Sequence, residues 1–178
     1  MSSLSLPLAG RRQRWGSWQP WLSLLVRLGL AGVAFYAAVP KLVDLRASQQ
    51  TVALYQIFPL AFSQVIGVAL PIVELALAVL FLSGLLSRYA ALLFGLMLLA
   101  FMAGIASLWA RGINISCGCF GPAAELTGDE QAKYGTEILR DVGFFAMTAF
   151  LALWPRSRFS LDAALGLEPV PKDKKTKD

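Results

Sequence analysis

Residues 60–82 read LAFSQVIGVALPIVELALAVLFL, a run in which Glu74 is the only charged side chain. A bilayer needs about 20 mostly apolar residues for each helix that crosses it, so this run is long enough to span a membrane. Three other apolar runs have a similar character. Spans are therefore predicted at about 20–39, 60–82, 89–110 and 138–154. The pattern predicts an all-α integral membrane protein built as a four-helix bundle.

The composition supports a membrane environment for the whole chain. Of its 178 residues, 57% are hydrophobic and 15% are charged, whereas a soluble domain has about 25% charged residues. So much apolar surface cannot be buried in a small core, and the first expected partner is therefore the lipid bilayer. No internal repeat or second domain is visible. We expect one membrane domain over residues 20–155, between polar basic tails at 1–19 and 156–178.

The basic residues predict the orientation of the helices. The formal charge is +5, but the lysines and arginines lie at the termini and between apolar runs. That placement is typical of membrane topology, and we expect no nucleic-acid partner. With both termini in the cytoplasm, that side carries ten of the 16 basic residues and the opposite side five. The first run is too long, and too charged at Arg27, for a cleaved signal peptide. A multi-pass protein of the plasma membrane is predicted.

The loop after the third span contains the sequence ISCGCFG at positions 115–121. It holds both cysteines of the chain, and the chain has no histidine. The predicted orientation places this long loop outside the cytoplasm, where disulfides persist. A Cys-x-Cys disulfide closes a small, strained and easily reduced ring, in which Gly118 relieves the backbone and Gly121 turns the chain away. A dithiol exposed at the membrane surface would suit exchange with a partner.

Two other roles for the cysteine pair stay open at this level. The pair could be a structural disulfide or two idle thiols in a turn, and the soft sulfurs could bind Cu(I). Two sulfurs without histidine fall short of a four-ligand zinc site, so no metal site is assigned. The chain has no second cysteine pair. A redox role therefore needs an external partner, either a thioredoxin-like protein or a quinone held among the helices.

Charged residues inside the apolar runs are costly, at ~2.5–3.5 kcal/mol or more each. Arg27 and Glu74 lie at similar predicted depths in the first and second spans, which predicts an ion pair between them. Alternatively, Arg27 extends to the surface and Glu74 is protonated or solvated. A cation near a cysteine would lower the pKa of its thiol. Charged residues on the predicted cysteine side include Lys41, Asp44, Arg111, Arg140 and Asp141, and each of them could instead anchor its helix at the interface.

Several motifs together resemble a known family. They are Lys41-Leu42-x-Asp44, Leu70-Pro71-x-x-Glu74-Leu75 and Arg111-Gly112-x-x-x-x-Cys117-Gly118-Cys119-Phe120-Gly121. From about residue 21 to 154 the chain resembles the MauE group of the DoxX-like membrane proteins. The resemblance implies a four-helix membrane protein associated with methylamine utilisation. It also implies a link to maturation of the disulfide-rich small subunit of methylamine dehydrogenase, beside a thioredoxin-like partner.

Two functional hypotheses follow from the sequence. In the first, Cys117 and Cys119 are catalytic and act in thiol–disulfide redox or in disulfide maturation of an extracytoplasmic client protein. In the second, the protein is a non-enzymatic scaffold that recruits a thioredoxin-like or oxidoreductase partner. Transport of a small molecule is disfavoured, because the chain lacks repeat architecture. The candidate structural or modulating residues are Arg27, Lys41, Asp44, Glu74, Arg111, Gly118 and Gly121.

Overall fold

The computed structural model describes residues 9–121, 123, 133–154 and 161, with side chains from Trp18 onward except that of Lys133. The regular structure of these residues is helical, which confirms the all-α prediction. The helices are α1 (Ala9–Val43), α2 (Leu45–Leu54), α3 (Leu60–Ser83), α4 (Ser87–Ala110) and α5 (Lys133–Leu153). Helix α1 thus begins before the predicted start at residue 20. Most of the predicted tails, at 1–8 and 155–178 apart from residue 161, lies outside the described residues.

Within the described part of the chain, three helices are long and apolar enough to cross a membrane. They are Trp18–Val43 within α1, then α3 and α4 in full. Their outward faces carry exposed apolar side chains such as Val65, Leu82 and Leu96, which suits contact with lipid. Helix α5 has 21 residues, but Glu137, Arg140 and Asp141 lie in its first half. A fourth span at 138–154 therefore stays a prediction.

Helix α2 lies in the segment between the first two spans. Asp44 begins it, since the side chain of Asp44 accepts a hydrogen bond of 3.0 Å from the Ala47 amide. The Ser48 hydroxyl donates to the Gly67 carbonyl at 2.7 Å. The side-chain amide of Gln49 donates to the backbone carbonyl of Gln64. Helix α2 therefore packs along the first half of α3, while the end of α1 packs along the second half.

The buried side chains form two clusters. The larger one joins α1, α3, α4 and α5 through residues such as Leu30, Leu77, Phe81 and Phe94. Phe81 and Phe94 meet edge to face with ring centroids 5.7 Å apart, a favourable aromatic geometry. The second cluster lies where α4 ends and α5 begins. Its members are Ile105, Leu108, Ile115, Cys117, Cys119 and Tyr134.

The predicted ion pair between Arg27 and Glu74 is wrong. Glu74 pairs with Lys41 instead, with Nζ and Oε1 2.6 Å apart and both side chains buried. Arg27 precedes Lys41 by 14 residues, which is about 21 Å along a helix and beyond the reach of the two side chains. The prediction counted depth from the ends of the spans. Because α2 occupies the first half of α3, the end of α1 faces the middle of α3.

Gly67 tests the contact between α2 and α3. A Cβ atom at this position would lie 2.5 Å from the Gln49 Cα, whereas one at Gly32 would meet nothing within 4 Å. Gly67→Ala should therefore cost about 1–3 kcal/mol by overpacking. The matched control Gly32→Ala should be neutral or gain up to about 1 kcal/mol from helix propensity. Unfolding in detergent micelles measures both, and equal stability of the two variants would contradict this packing.

The Lys41–Glu74 pair gives a second stability test. Lys41→Met or Glu74→Gln alone leaves one buried charge without its partner, which should cost about 3–5 kcal/mol. The double variant removes both charges and should recover most of that loss. Arg46→Met removes an exposed charge and should change stability by about 0.5 kcal/mol or less. Additive losses in the double variant, measured by thermal unfolding in micelles, would argue against the pair.

Candidate functional site

The loop after α4 is held against the helices by Tyr134, a buried residue of α5. Its hydroxyl oxygen lies 2.6 Å from the Ile113 carbonyl and 2.7 Å from the Ile115 carbonyl. It also accepts a hydrogen bond of 3.0 Å from the Ile115 amide. A loop backbone that is buried in an apolar region needs such partners, because an unpaired polar group costs free energy there. Tyr134 therefore directs the loop inward, ahead of the cysteines.

Helix α2 covers the cysteine turn from the other side. The Tyr55 hydroxyl donates to the Cys117 carbonyl at 2.6 Å, and the Thr51 hydroxyl accepts from the Ala123 amide at 2.9 Å. Burial raises the pKa of Tyr55 above its ordinary value, so the phenol stays a neutral donor. Gly118 has a φ of +65°, and a Cβ there would lie 2.3 Å from the Thr51 side chain. Only glycine fits this turn beneath α2.

Both thiols are free, and each cysteine is 7% exposed. The prediction of a dithiol exposed at the surface is therefore wrong. The reason is the inward course of the loop, which places Phe120 between α1 and α5. The Phe120 ring lies 5.6 Å from the Tyr36 ring, and the Arg140 guanidinium lies 4.5 Å from the centre of the Phe120 ring. The cysteines are thus enclosed by the ends of the helices.

The two thiols have unequal environments. The Cys119 thiol donates to the Cys117 carbonyl at 4.0 Å. The pKa of Cys117 is lowered by the neighbouring Cys119 thiol, by the Cys119 amide and by the Arg140 guanidinium, against the effect of burial. The amide donates to the Cys117 sulfur at 3.3 Å. The pKa of Cys119 is raised by the same thiol contact, by burial, and by the charges of Cys117 and Asp141. Cys117 is therefore the more acidic thiol, and Cys119 keeps its proton.

Two ion pairs border the thiols. Lys41 pairs with Glu74 and also lies 5.5 Å from the centre of the Phe101 ring. Arg140 pairs with Asp141 on α5 at 3.0 Å. A cavity of about 40 Å³ separates Lys41 from Cys117. Another, of about 20 Å³, is lined by Cys119 together with Glu74 and Asp141. Both cavities can hold water-sized groups next to the sulfurs.

The other predicted site residues have different positions. Asp44 caps α2, and the Arg111 guanidinium donates to the carbonyls of Tyr55 and Ser107, which ties the end of α2 to α4. Arg27 is buried at another level of α1. A Cβ at Gly121 would meet nothing within 4 Å. Lys41, Glu74 and Gly118 are therefore the predicted modulating residues that border the thiols.

Sequence reasoning did not identify the groups that shape the site most directly. The sequence-based hypotheses give no role to Thr51, Tyr55 or Tyr134. Arg140 and Asp141 were predicted to lie on the same side as the cysteines, but no specific contact was predicted for them. A signal does exist for α5: the adjacent opposite charges Arg140 and Asp141 directly precede its mostly apolar second half, where a charge needs a partner. Among the described residues, no group of three His, Cys, Asp or Glu side chains is arranged to hold a metal ion.

Comparison with known protein families gives the family of the chain. Residues 19–155 match the family described as methylamine utilisation protein MauE. The match covers most of the chain, which therefore belongs to the MauE family, as its motifs had suggested. No curated protein and no solved structure matches the chain.

The inequality of the thiols predicts an order of reactivity. In the wild-type protein, iodoacetamide should modify Cys117 at a pH below that needed for Cys119, as read by mass spectrometry. Arg140→Met removes a cation that stabilises the Cys117 thiolate, so the midpoint of Cys117 alkylation should move to higher pH. Arg46→Met removes an exposed cation of α2 and should leave that midpoint unchanged. Earlier modification of Cys119 would contradict the assignment.

Proposed function

We propose that this MauE-family membrane protein carries out thiol–disulfide exchange, with Cys117 as the attacking thiol and Cys119 as the resolving thiol. The observation that carries the proposal is the unequal environment of two adjacent free cysteines. The attacking species in such exchange is a thiolate. The hydrogen bond from the Cys119 amide and the Arg140 cation favour the Cys117 thiolate, whereas Cys119 keeps its proton until it is needed.

The exchange proceeds in two balanced steps. The Cys117 thiolate attacks one sulfur of a partner disulfide, whose S–S bond breaks. A mixed disulfide forms, and the first partner sulfur leaves as a thiolate and takes up a proton. Cys119 then loses its proton and attacks the Cys117 sulfur, which releases the second partner thiolate. The partner disulfide is reduced by two electrons, and Cys117 and Cys119 become a disulfide.

The oxidised pair can pass its disulfide to a client by the same steps in reverse. A client dithiol becomes a disulfide, and Cys117 and Cys119 return to thiols. A complete cycle therefore needs a reduced client protein and an oxidant, which we assign by class to a thioredoxin-like disulfide or to a quinone. The family name supports an extracytoplasmic client of the methylamine-utilisation type.

The path of approach follows from the cavity beside Cys117. Its lining includes residues of α1, α3 and α4, and Ser48 and Thr51 of α2 form one wall. A partner sulfur that reaches Cys117 from this side must displace part of α2. This function also requires the cysteine loop to face outward from the plasma membrane, with both termini in the cytoplasm. The distribution of the basic residues supports that orientation.

Single-cysteine variants test the proposal directly. With Cys119→Ser, Cys117 should attack but cannot be resolved, so a mixed disulfide with the thioredoxin-like partner or client should accumulate. Cys117→Ser should capture much less, because the remaining thiol is protonated. The adducts can be isolated from membranes after acid quenching and identified by mass spectrometry.

The same experiment separates exchange from a scaffold role. A scaffold would retain its bound partner in both variants without a covalent adduct, and the maturation of client disulfides would continue. Absence of a mixed disulfide in Cys119→Ser, together with full client maturation in both variants, would refute the exchange function.

A further inference from the structure

We propose that Asp141 is the general base that takes the proton of Cys119 when this thiol resolves a mixed disulfide on Cys117. The inference rests on the proposed exchange function and deepens it. A thiol enclosed at the ends of apolar helices cannot pass its proton to bulk water directly. A nearby acceptor is therefore needed, within hydrogen-bonding distance of the thiol or one water away.

The geometry provides an acceptor with a free oxygen at Asp141. Asp141 and Cys119 line the same cavity of about 20 Å³. Oδ1 of Asp141 accepts hydrogen bonds from Nε and Nη2 of Arg140 at 3.1 and 3.0 Å. Oδ2 is buried and has no hydrogen-bond partner. The whole side chain is only 3% exposed, so bulk water does not supply that partner. A buried carboxylate oxygen without a partner is costly, which points to a proton or a water as its ligand.

Arg140 and Asp141, which are adjacent on α5, act on the two sulfurs with charges of opposite sign. The Arg140 guanidinium acts on Cys117 and favours its thiolate. The Asp141 carboxylate acts on Cys119 and favours its protonated form. One ion pair therefore serves both thiols, with its cation at the attacking sulfur and its anion at the resolving sulfur.

Glu74 lines the same cavity and is the competing candidate. Its Oε1 is held by Lys41 at 2.6 Å, and its Oε2 is also without a partner. Asp141, by contrast, is a carboxylate whose charge raises the pKa of Cys119, and its other oxygen is held by Arg140 of the same helix. Lys41 is a cation at this pair and cannot accept a proton. Asp141 is thus the better placed carboxylate.

The proton and the electrons balance in this step. While Cys117 is a thiolate, its negative charge keeps Cys119 protonated. Once Cys117 is in a mixed disulfide, that negative charge is gone and the proton can move to Oδ2 of Asp141, directly or through a water in the cavity. The Cys119 thiolate then attacks the Cys117 sulfur, the new S–S bond forms, and the second partner sulfur leaves with its electron pair.

The surroundings contain few other titratable groups. Helix α4 contributes apolar side chains to this cavity, including Phe94, Met97 and Phe101. The charged or titratable groups that face the thiols from the described elements are Lys41 of α1, Tyr55 after α2, Glu74 of α3, and Glu137, Arg140 and Asp141 of α5. A pH profile of the resolving step must be interpreted against these groups.

A two-step reaction with the small disulfide 2,2′-dithiodipyridine tests the proposal on the full-length protein in micelles. Attack by Cys117 releases the first thiopyridone, and resolution by Cys119 releases the second, and absorbance follows both. Asp141→Asn should slow the second release about 100-fold or more at neutral pH, the usual contribution of a general base. The Asn side chain still accepts a hydrogen bond from Arg140, and the first release should stay within about threefold of wild type.

The pH dependence distinguishes a base from a structural residue. The second release should be nearly independent of pH in the wild type around neutrality. In Asp141→Asn it should rise about tenfold per pH unit, because the reaction then depends on spontaneous ionisation of the thiol. Asp141→Glu should restore a large part of the rate. Asp44→Asn removes the exposed carboxylate that caps α2 and should leave the second release unchanged, since asparagine caps a helix equally well.

The experiment distinguishes a failure of the Asp141 proposal from a failure of the exchange function. If Asp141→Asn keeps the wild-type rate and profile of the second release, or if it slows both releases equally, Asp141 is not the base, while the exchange function stands. If the wild-type protein gives no second release and no disulfide between Cys117 and Cys119, the exchange function itself fails.

Discussion

The ion pair of Lys41 with Glu74 is the constraint on which the rest of the structure depends. Two charges inside an apolar bundle are tolerated only when they meet each other, and here the atoms are 2.6 Å apart. The pair fixes the last turn of α1 against the middle of α3. The first half of α3 is then left to α2, which ends at Leu54. This register brings Thr51 and Tyr55 over the cysteine turn.

A second constraint is that a polar loop lies among apolar helices. Backbone groups that leave water must find protein partners, and side-chain hydroxyls supply them here. Tyr134 binds the loop before the cysteines and Tyr55 binds it at Cys117. The same contacts that satisfy the backbone also bury the thiols. The burial of the thiols and the acidity of Cys117 thus have the same cause. The buried turn brings the Cys117 sulfur to the Cys119 amide and to Arg140.

The chemistry depends on a difference between two neighbours of the same residue type. In open solution, cysteines separated by one glycine would titrate almost alike. The fold makes them unequal by placing a cation at one and a carboxylate at the other, both from adjacent positions of α5. An acidic thiol beside a protonated one divides attack and resolution between two sulfurs without a histidine, and the chain has none.

The sequence by itself determined the all-α class, the long apolar spans, the family and the cysteine pair, because apolar length and short motifs are local properties. It also singled out Lys41 and Glu74, since a charge near or within an apolar run is visible in any register. The partner of Glu74 and the burial of Cys117 were decided by the tertiary structure. Both depend on where α2 places the end of α1 along α3. Counting residues from the ends of the predicted spans cannot reveal that position. The physical reason is that the partner of a buried charge is chosen by distance across helices, which only their packing sets.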